Sequence, residues 1–279
     1  MAPLGGAQAP RRRPPRRLAG QDGTKASARP AGGGCGEDLR DPRSSPDLPP
    51  ARPAMLLLFD IDGTLLQSHG VGRRAVEHSL SARFGRPIDT SSVTFSGKTD
   101  PQIFREILSD PSIAGDLPDD LDVAVRQACE AYARRMHETW DEATVEALPG
   151  AVELVRALHA DGEPLGLLTG NLEPMAYLKV NRIGLGREFP LGAFGSDHED
   201  RNQLPLVALE RARQLGALDL AAEHLVLIGD TPRDVQAAQA VGAKSVAVAT
   251  GRFSAEELEA SRPTVLLETL EAFDLASVA

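Results

Sequence analysis

This sequence has little of what fixes small secreted or membrane proteins. Its 279 residues include two cysteines, one tryptophan and two tyrosines. Cys35 lies in a Gly-rich stretch and Cys129 in a helical pattern, so neither a disulfide framework nor a metal-ligand spacing is available. Such sparing use of cysteine fits a reducing compartment, and the expected location is cytoplasmic. No apolar run approaches the length of a membrane-spanning helix. A surplus of positive charge is also missing. The formal net charge is −10, which argues against nucleic acid as a partner, because such binding depends on neutralising phosphates. A small anionic substrate stays open, since a metal ion or local cations can govern a site inside an acidic protein.

The charge is uneven. Residues 1–54 carry ten Lys/Arg against five Asp/Glu and hold ten of the 21 prolines, so the remainder is near −15. This stretch, with Arg11-Arg12-Arg13 and Gly32-Gly33-Gly34, cannot bury enough apolar surface to offset chain entropy. It is expected to be a disordered, dispensable leader, with Met55 a possible start of translation. An organelle-targeting role is disfavoured by Glu37, Asp38, Asp41 and Asp47, since transit peptides are poor in acids.

From residue 55 onward strand and helix alternate. Strands are expected near 55–60, 164–169, 192–196, 224–229 and 245–249. Helices are expected near 150–161, 173–183, 203–216, 232–241, 255–261 and 266–274. Short apolar strands without polar alternation, separated by helices, predict a parallel sheet covered on both faces. The fold class is therefore α/β, a doubly wound, Rossmann-like core. Residues 70–148 interrupt it with helical patterns near 71–85, 100–109 and 119–140 and no clear strand. They are expected to form a helical insertion between core segments 55–69 and 149–279.

Three apolar runs end in polar residues. Phe59-Asp60-Ile61-Asp62-Gly63-Thr64 places two carboxylates where a strand of Leu and Phe has no packing use for them, which points to a cation and a nucleophile. Leu168-Thr169-Gly170-Asn171 follows a second run. Ile228-Gly229-Asp230-Thr231-Pro232-Arg233-Asp234 follows a third. In parallel α/β sheets ligands bind at the carboxyl ends of strands, so all three motifs should meet at one site. Read alone, Asp230 could be a turn acid or helix cap, and Thr169 a cap before Glu173-Pro174.

Asp60, Asp62, Thr169, Asp230 and Asp234 together resemble the haloacid dehalogenase superfamily, and within it the Mg²⁺-dependent, phosphoglycolate phosphatase-like members with a helical cap after the first motif. The resemblance spans residues 55–249. It implies Asp60 as nucleophile and Asp62 as acid and base. It implies phosphate binding by Thr169, Gly170 and Asn171. Mg²⁺ would be held by Asp60, the backbone carbonyl of Asp62, Asp230 and Asp234. The family's usual lysine between the second and last motifs is absent from residues 195–205. Arg201 is the expected replacement; its other reading is a solvent-exposed Arg neutralising Asp197, Glu199 and Asp200. Lys179 is the rival for that role, but inside an amphipathic helix it reads as a surface residue. Gly97 and Lys98 of the insertion are candidates to approach the substrate. Arg73, Arg74, Arg105 and His137 also read as candidates, though more in keeping with solvated helix faces. Phe104 and Trp140 read as core of the insertion. The implied activity is hydrolysis of a small phosphate monoester. A phosphomutase similar to β-phosphoglucomutase and a non-catalytic metabolite-binding regulator are the alternatives. Asp62, Asp230 and Asp234 argue against dehalogenation, which needs neither a metal nor a second acid.

Overall fold

The computed structural model describes residues 55–115, 118–140, 143–216 and 220–278; the expected leader at 1–54, with Cys35, lies outside the described residues. Among the described residues no helix is long and apolar enough to cross a membrane.

The core is a six-stranded sheet of β1 (Leu56–Phe59), β4 (Leu165–Thr169), β5 (Leu191–Phe194), β6 (Leu225–Gly229), β7 (Lys244–Val248) and β8 (Val265–Leu267). Its order is β5-β4-β1-β6-β7-β8, and every pairing is parallel. β1 is central, and all four of its side chains are fully buried. Leu57 and Phe59 face one apolar cluster with Val155 and Leu158 of α5 (Ala151–Ala160) and Ala176 and Val180 of α6 (Glu173–Arg182). Leu56 and Leu58 face the opposite cluster with Ala208 and Leu209 of α7 (Leu204–Gln214) and Ala237 and Ala238 of α8 (Pro232–Val241). Burial on both faces is why these strands show no polar alternation.

The register of the three central strands sets the site. Phe59 pairs with Leu167 of β4 and with Ile228 of β6. The three polar motifs therefore leave adjacent strands at the same edge. The Asp60 backbone N–H still donates to the Ile228 carbonyl at 2.9 Å, which fixes Asp60 at the point where β1 gives out.

Two expectations need correction. Residues 266–274 are not one α-helix: Val265–Leu267 form β8 and Leu270–Ala272 a single 3-10 turn. Val265 and Leu267 pack on one cluster and Leu266 on another, the period of a strand, and this run closes the sheet edge beside β7. Its leucines at 266, 267 and 270 mimic helical spacing, an ambiguity of short apolar runs. The insertion also contains a strand. β2 (Leu66–Gln67) pairs antiparallel with β3 (Glu146–Ala147), joining the chain's exit from the core to its return. Between them lie α1 (Val71–Phe84), α2 (Asp100–Ser109), α3 (Pro111–Ala114) and α4 (Leu121–Thr139). These helices share an apolar cluster that includes Leu80, Phe104, Ile107, Tyr132, Met136 and Trp140, and it takes in Leu172 and Met175 from the β4–α6 segment.

Candidate active site

Asp60, Asp230 and Asp234 come together with one carboxylate oxygen of each within 4.8 Å of the others, and all three are buried. The turn that permits this is built from Gly63, at φ 86°. A side chain at Gly63 or Gly251 would strike the Asp230 carboxylate, so both backbones close directly on that acid. Thr64 donates to Asp230 at 3.3 Å.

Asp230 is not a helix cap. That position is Thr231, whose N–H and hydroxyl donate to Asp234 Oδ2 at 3.0 and 2.8 Å at the start of α8. The other oxygen of Asp234 accepts from Arg201. Asp234 thus has both oxygens engaged, leaving Asp60 and Asp230 as the more open donors to a cation.

Arg201 is 5 % exposed rather than solvated. Its guanidinium lies 3.2 Å from Asp60 and also pairs with Asp234. The acids that were its alternative partners are otherwise engaged: Asp197 pairs with Arg211, Glu199 with Arg105, and Asp200 accepts from the Asn202 N–H at 3.0 Å. One Arg201 donor, Nε, is buried without a partner among the described residues.

Three carboxylates around one guanidinium are short of positive charge. Burial pushes Asp60 up to about 6 despite Arg201, with Asp234 adding to the rise. Burial, then the charges of Asp234 and Asp60, hold Asp230 well above the usual carboxylate range. Burial works against the charge of Arg201, but Asp234 and Asp60 keep it protonated. A hard divalent cation fits this donor set, because carboxylate oxygens are its preferred ligands and its charge removes the repulsion.

Asp62 faces the other way. Its carboxylate is no part of the three-acid group; it accepts from Lys179 Nζ at 2.6 Å, Asn171 Nδ2 at 2.9 Å and Ser68 Oγ at 3.2 Å. Burial would raise its pKa, but the Lys179 charge and these hydrogen bonds outweigh it, and the net shift is downward. Asn171 also donates through Nδ2 to Thr169 Oγ1 at 2.8 Å and accepts from Lys179 at 2.7 Å. Thr169 does not cap α6, whose N-cap is Leu172. These groups line a cavity of about 270 Å³ that Gly97, Lys98 and Gly170 also border. Gly170 has no room for a side chain, which would strike the Lys98 carbonyl.

A family model described as haloacid dehalogenase-like hydrolase matches residues 57–248. The chain belongs to the haloacid dehalogenase-like hydrolase family. It is similar to the phosphoglycolate phosphatase of Shigella flexneri, 25 % identical over 228 residues and covering 76 % of this chain and 88 % of that protein. Among solved structures it is similar to CbbY from Rhodobacter sphaeroides in complex with phosphate, with a TM-score of 0.63, 20 % identity, and coverage of 81 % of this chain and 99 % of that one. A predicted phosphoglycolate phosphatase from Haemophilus somnus gives a TM-score of 0.62 at 17 % identity, covering 79 % and 96 %. At these identities the structural likenesses speak to the fold.

In this hydrolase Lys179 is the residue that sequence reasoning misplaced. It is 3 % exposed and paired with Asp62, not at the surface. A signal was present: Met175, Ala176 and Val180 form the buried stripe of α6, and Lys179 stands within it. Asp100, at the start of α2, is a second residue that sequence reasoning did not single out. It lines the cavity, and burial pushes it up to about 6.

The other insertion candidates are mostly committed to holding structure. Arg73 lines the cavity wall, but its guanidinium stacks on Phe95 at 4.0 Å and donates to Thr90 and Val93. Lys98 pairs with Glu106. Arg74 donates to the His69 carbonyl, and Arg105 pairs with Glu199 and Asp122. His137 is exposed.

Proposed function

We propose that this hydrolase is a Mg²⁺-dependent phosphatase of small phosphate monoesters, akin in chemistry to phosphoglycolate phosphatases. The observation that carries the reading is the arrangement around Asp60. A carboxylate at the strand end has a buried guanidinium on one side, two further carboxylates beside it, and a second, separately held acid two residues on.

Asp60 attacks phosphorus as the P–O bond to the alcohol breaks, giving an aspartyl-phosphate. Asp62 supplies the proton to the departing oxygen. Water then attacks the same phosphorus, Asp62 takes its proton, and the bond to Asp60 breaks. As it stands Asp62 is ionised, the form in which it activates water. The negative charge of an arriving phosphate raises its pKa toward the protonated form needed for the first half. Arg201, with its unpartnered Nε, and the Thr169 hydroxyl with the Gly170 and Asn171 backbone bind the phosphoryl oxygens. Asp60, Asp230 and the Asp62 carbonyl, with Asp234 behind them, would hold Mg²⁺, which neutralises the carboxylates and the phosphate charge. In this reading α1 to α4 act as a cap over the site, within residues 70–148.

The direct test is Mg²⁺-dependent release of phosphate from p-nitrophenyl phosphate and a panel of phosphorylated metabolites. Chelation by EDTA is expected to abolish turnover and lower the melting temperature, as loss of a native-state ligand requires. Mg²⁺ affinity is expected to fall as pH drops below about 6, where Asp60 takes up a proton that must leave before the ion binds. Affinity that is flat from pH 7.5 to 5 would remove Asp60 from the ligand set.

Lys179 is given a positioning role, holding the Asp62 carboxylate toward the leaving group. Lys179→Met should lower kcat/KM for an alkyl phosphate by about 10²-fold or more, the scale of acid–base catalysis. It should lower kcat/KM far less for p-nitrophenyl phosphate, whose leaving group departs without a proton. Equal losses for the two substrates would assign Lys179 a structural role only.

A further inference from the structure

The proposed chemistry leaves one half-buried acid of the cavity unused. Asp100 Oδ2 accepts from the Leu172 N–H at 2.9 Å. Among the described residues its other oxygen has no hydrogen-bond partner and Asp100 makes no ion pair, although it lines the cavity and feels the charge of Lys179. Tyr132, on α4, lines the same wall. It is 2 % exposed, yet among the described residues its hydroxyl has no hydrogen-bond partner. Burial, followed by the negative charges of Asp100 and Asp62, pushes that hydroxyl well above its usual range, so it remains an O–H donor. Ile103 and Val76 supply apolar surface beside them.

Four of the five cations that line this cavity are committed to other groups. Arg201 serves Asp60 and Asp234, Lys179 serves Asp62 and Asn171, Arg73 serves the loop at Thr90 and Val93, and Lys98 serves Glu106. Arg252 stands at an exposed position against Phe253. The wall at Asp100 and Tyr132 therefore offers one carboxylate oxygen and one hydroxyl to a ligand, and the one lining cation with neither an ion pair nor a hydrogen bond among the described residues, Arg252, follows Gly251 at the Asp230 end of the cavity.

We propose that Asp100 and Tyr132 form the subsite for the alcohol portion of the substrate, and that they select an uncharged, hydroxylated leaving group, as in a polyol or sugar phosphate, over one bearing a carboxylate. This rests on the phosphatase reading above and narrows it. A hydroxyl matches the pair, giving its proton to Asp100 and accepting one from Tyr132. A carboxylate, as in 2-phosphoglycolate, brings a second negative charge to Asp100 in a site of low dielectric. An ammonium group has donors only and leaves the Tyr132 proton without an acceptor.

The test compares initial rates of phosphate release by the full chain with Mg²⁺ from glycerol 3-phosphate, glucose 6-phosphate, 2-phosphoglycolate, phosphoethanolamine and p-nitrophenyl phosphate. At least one of the two hydroxylated substrates is expected to exceed 2-phosphoglycolate by about tenfold or more in kcat/KM, as for a site built to bond a substrate hydroxyl. Asp100→Asn, which keeps an acceptor for Leu172, should narrow that ratio by lowering KM for 2-phosphoglycolate. Tyr132→Phe should narrow it by weakening the hydroxylated substrate. Ratios between substrates cancel any general loss of activity, and circular dichroism reports folding. Turnover of p-nitrophenyl phosphate together with equal or better use of 2-phosphoglycolate or phosphoethanolamine overturns the subsite and leaves the phosphatase reading standing. The same holds for a ratio unchanged in both variants. No release from any substrate overturns the phosphatase reading, and the subsite with it.

Discussion

Asp60→Asn is expected to lower Mg²⁺-dependent phosphate release by at least about a thousandfold, as removal of a nucleophile does, while the protein stays folded. The substitution is close to isosteric, and the bond that anchors this position to β6 is made by the backbone N–H, which is unchanged. Stability gives a second, opposite signal. The Asp60 pKa is raised by burial and by Asp234, so its charge opposes folding at neutral pH when no metal is bound. Removing that charge should raise the melting temperature of the metal-free protein and shrink the further rise produced by Mg²⁺. Loss of activity with a higher apo melting temperature separates a missing nucleophile from a damaged fold. Retained turnover with a normal melt would take Asp60 out of the nucleophile's position.

Arg201→Met should produce the largest loss of stability among single substitutions at the site. The guanidinium is buried between Asp60 and Asp234. Without it three buried carboxylates share no cation, and breaking a buried pair from one side typically costs about 3–5 kcal/mol. The loss should appear in urea unfolding as a lower midpoint in EDTA, and Mg²⁺ should restore part of it by supplying the missing charge. Activity should remain low even with Mg²⁺ present, because the ion does not replace the donors that Arg201 offers to a phosphoryl oxygen. Arg201→Lys keeps a charge but not the planar fork that reaches two acids at once, so it should recover more stability than activity. An unchanged urea midpoint in EDTA would mean that the Asp60–Asp234 pair does not need this cation.

The meeting of the three motifs at one sheet edge was legible in the sequence because local signals and the sheet agree. Asp60, Thr169 and Asp230 each follow an apolar run, and parallel pairing of β4, β1 and β6 carries their motifs to one edge. That inference needs only the rule that such sheets bind ligands at their carboxyl ends. Lys179 was harder, because a lysine in an amphipathic helix is ordinarily solvated. Only the tertiary approach of α6 to the β1 turn reveals that it stands opposite Asp62. Asp100 was hidden for a related reason. Thr99-Asp100-Pro101 satisfies every local requirement of a helix start, with Thr99 as the cap, and nothing local shows that the acid also borders a cavity. The last strand was missed because three apolar residues fit both periods. Its identity is decided by the open edge of β7, not by its own sequence.

The most direct test of the central claim is to catch the intermediate. The protein would be acid-quenched while turning over p-nitrophenyl phosphate with Mg²⁺, reduced with borohydride, and analysed by peptide mass spectrometry. The account predicts that Asp60 is converted to homoserine in quenched samples, and that this mark is absent when EDTA replaces Mg²⁺. Phosphate release at full rate with Asp60 unmodified throughout, or with the mark on Asp230 or Asp234 instead, would contradict it.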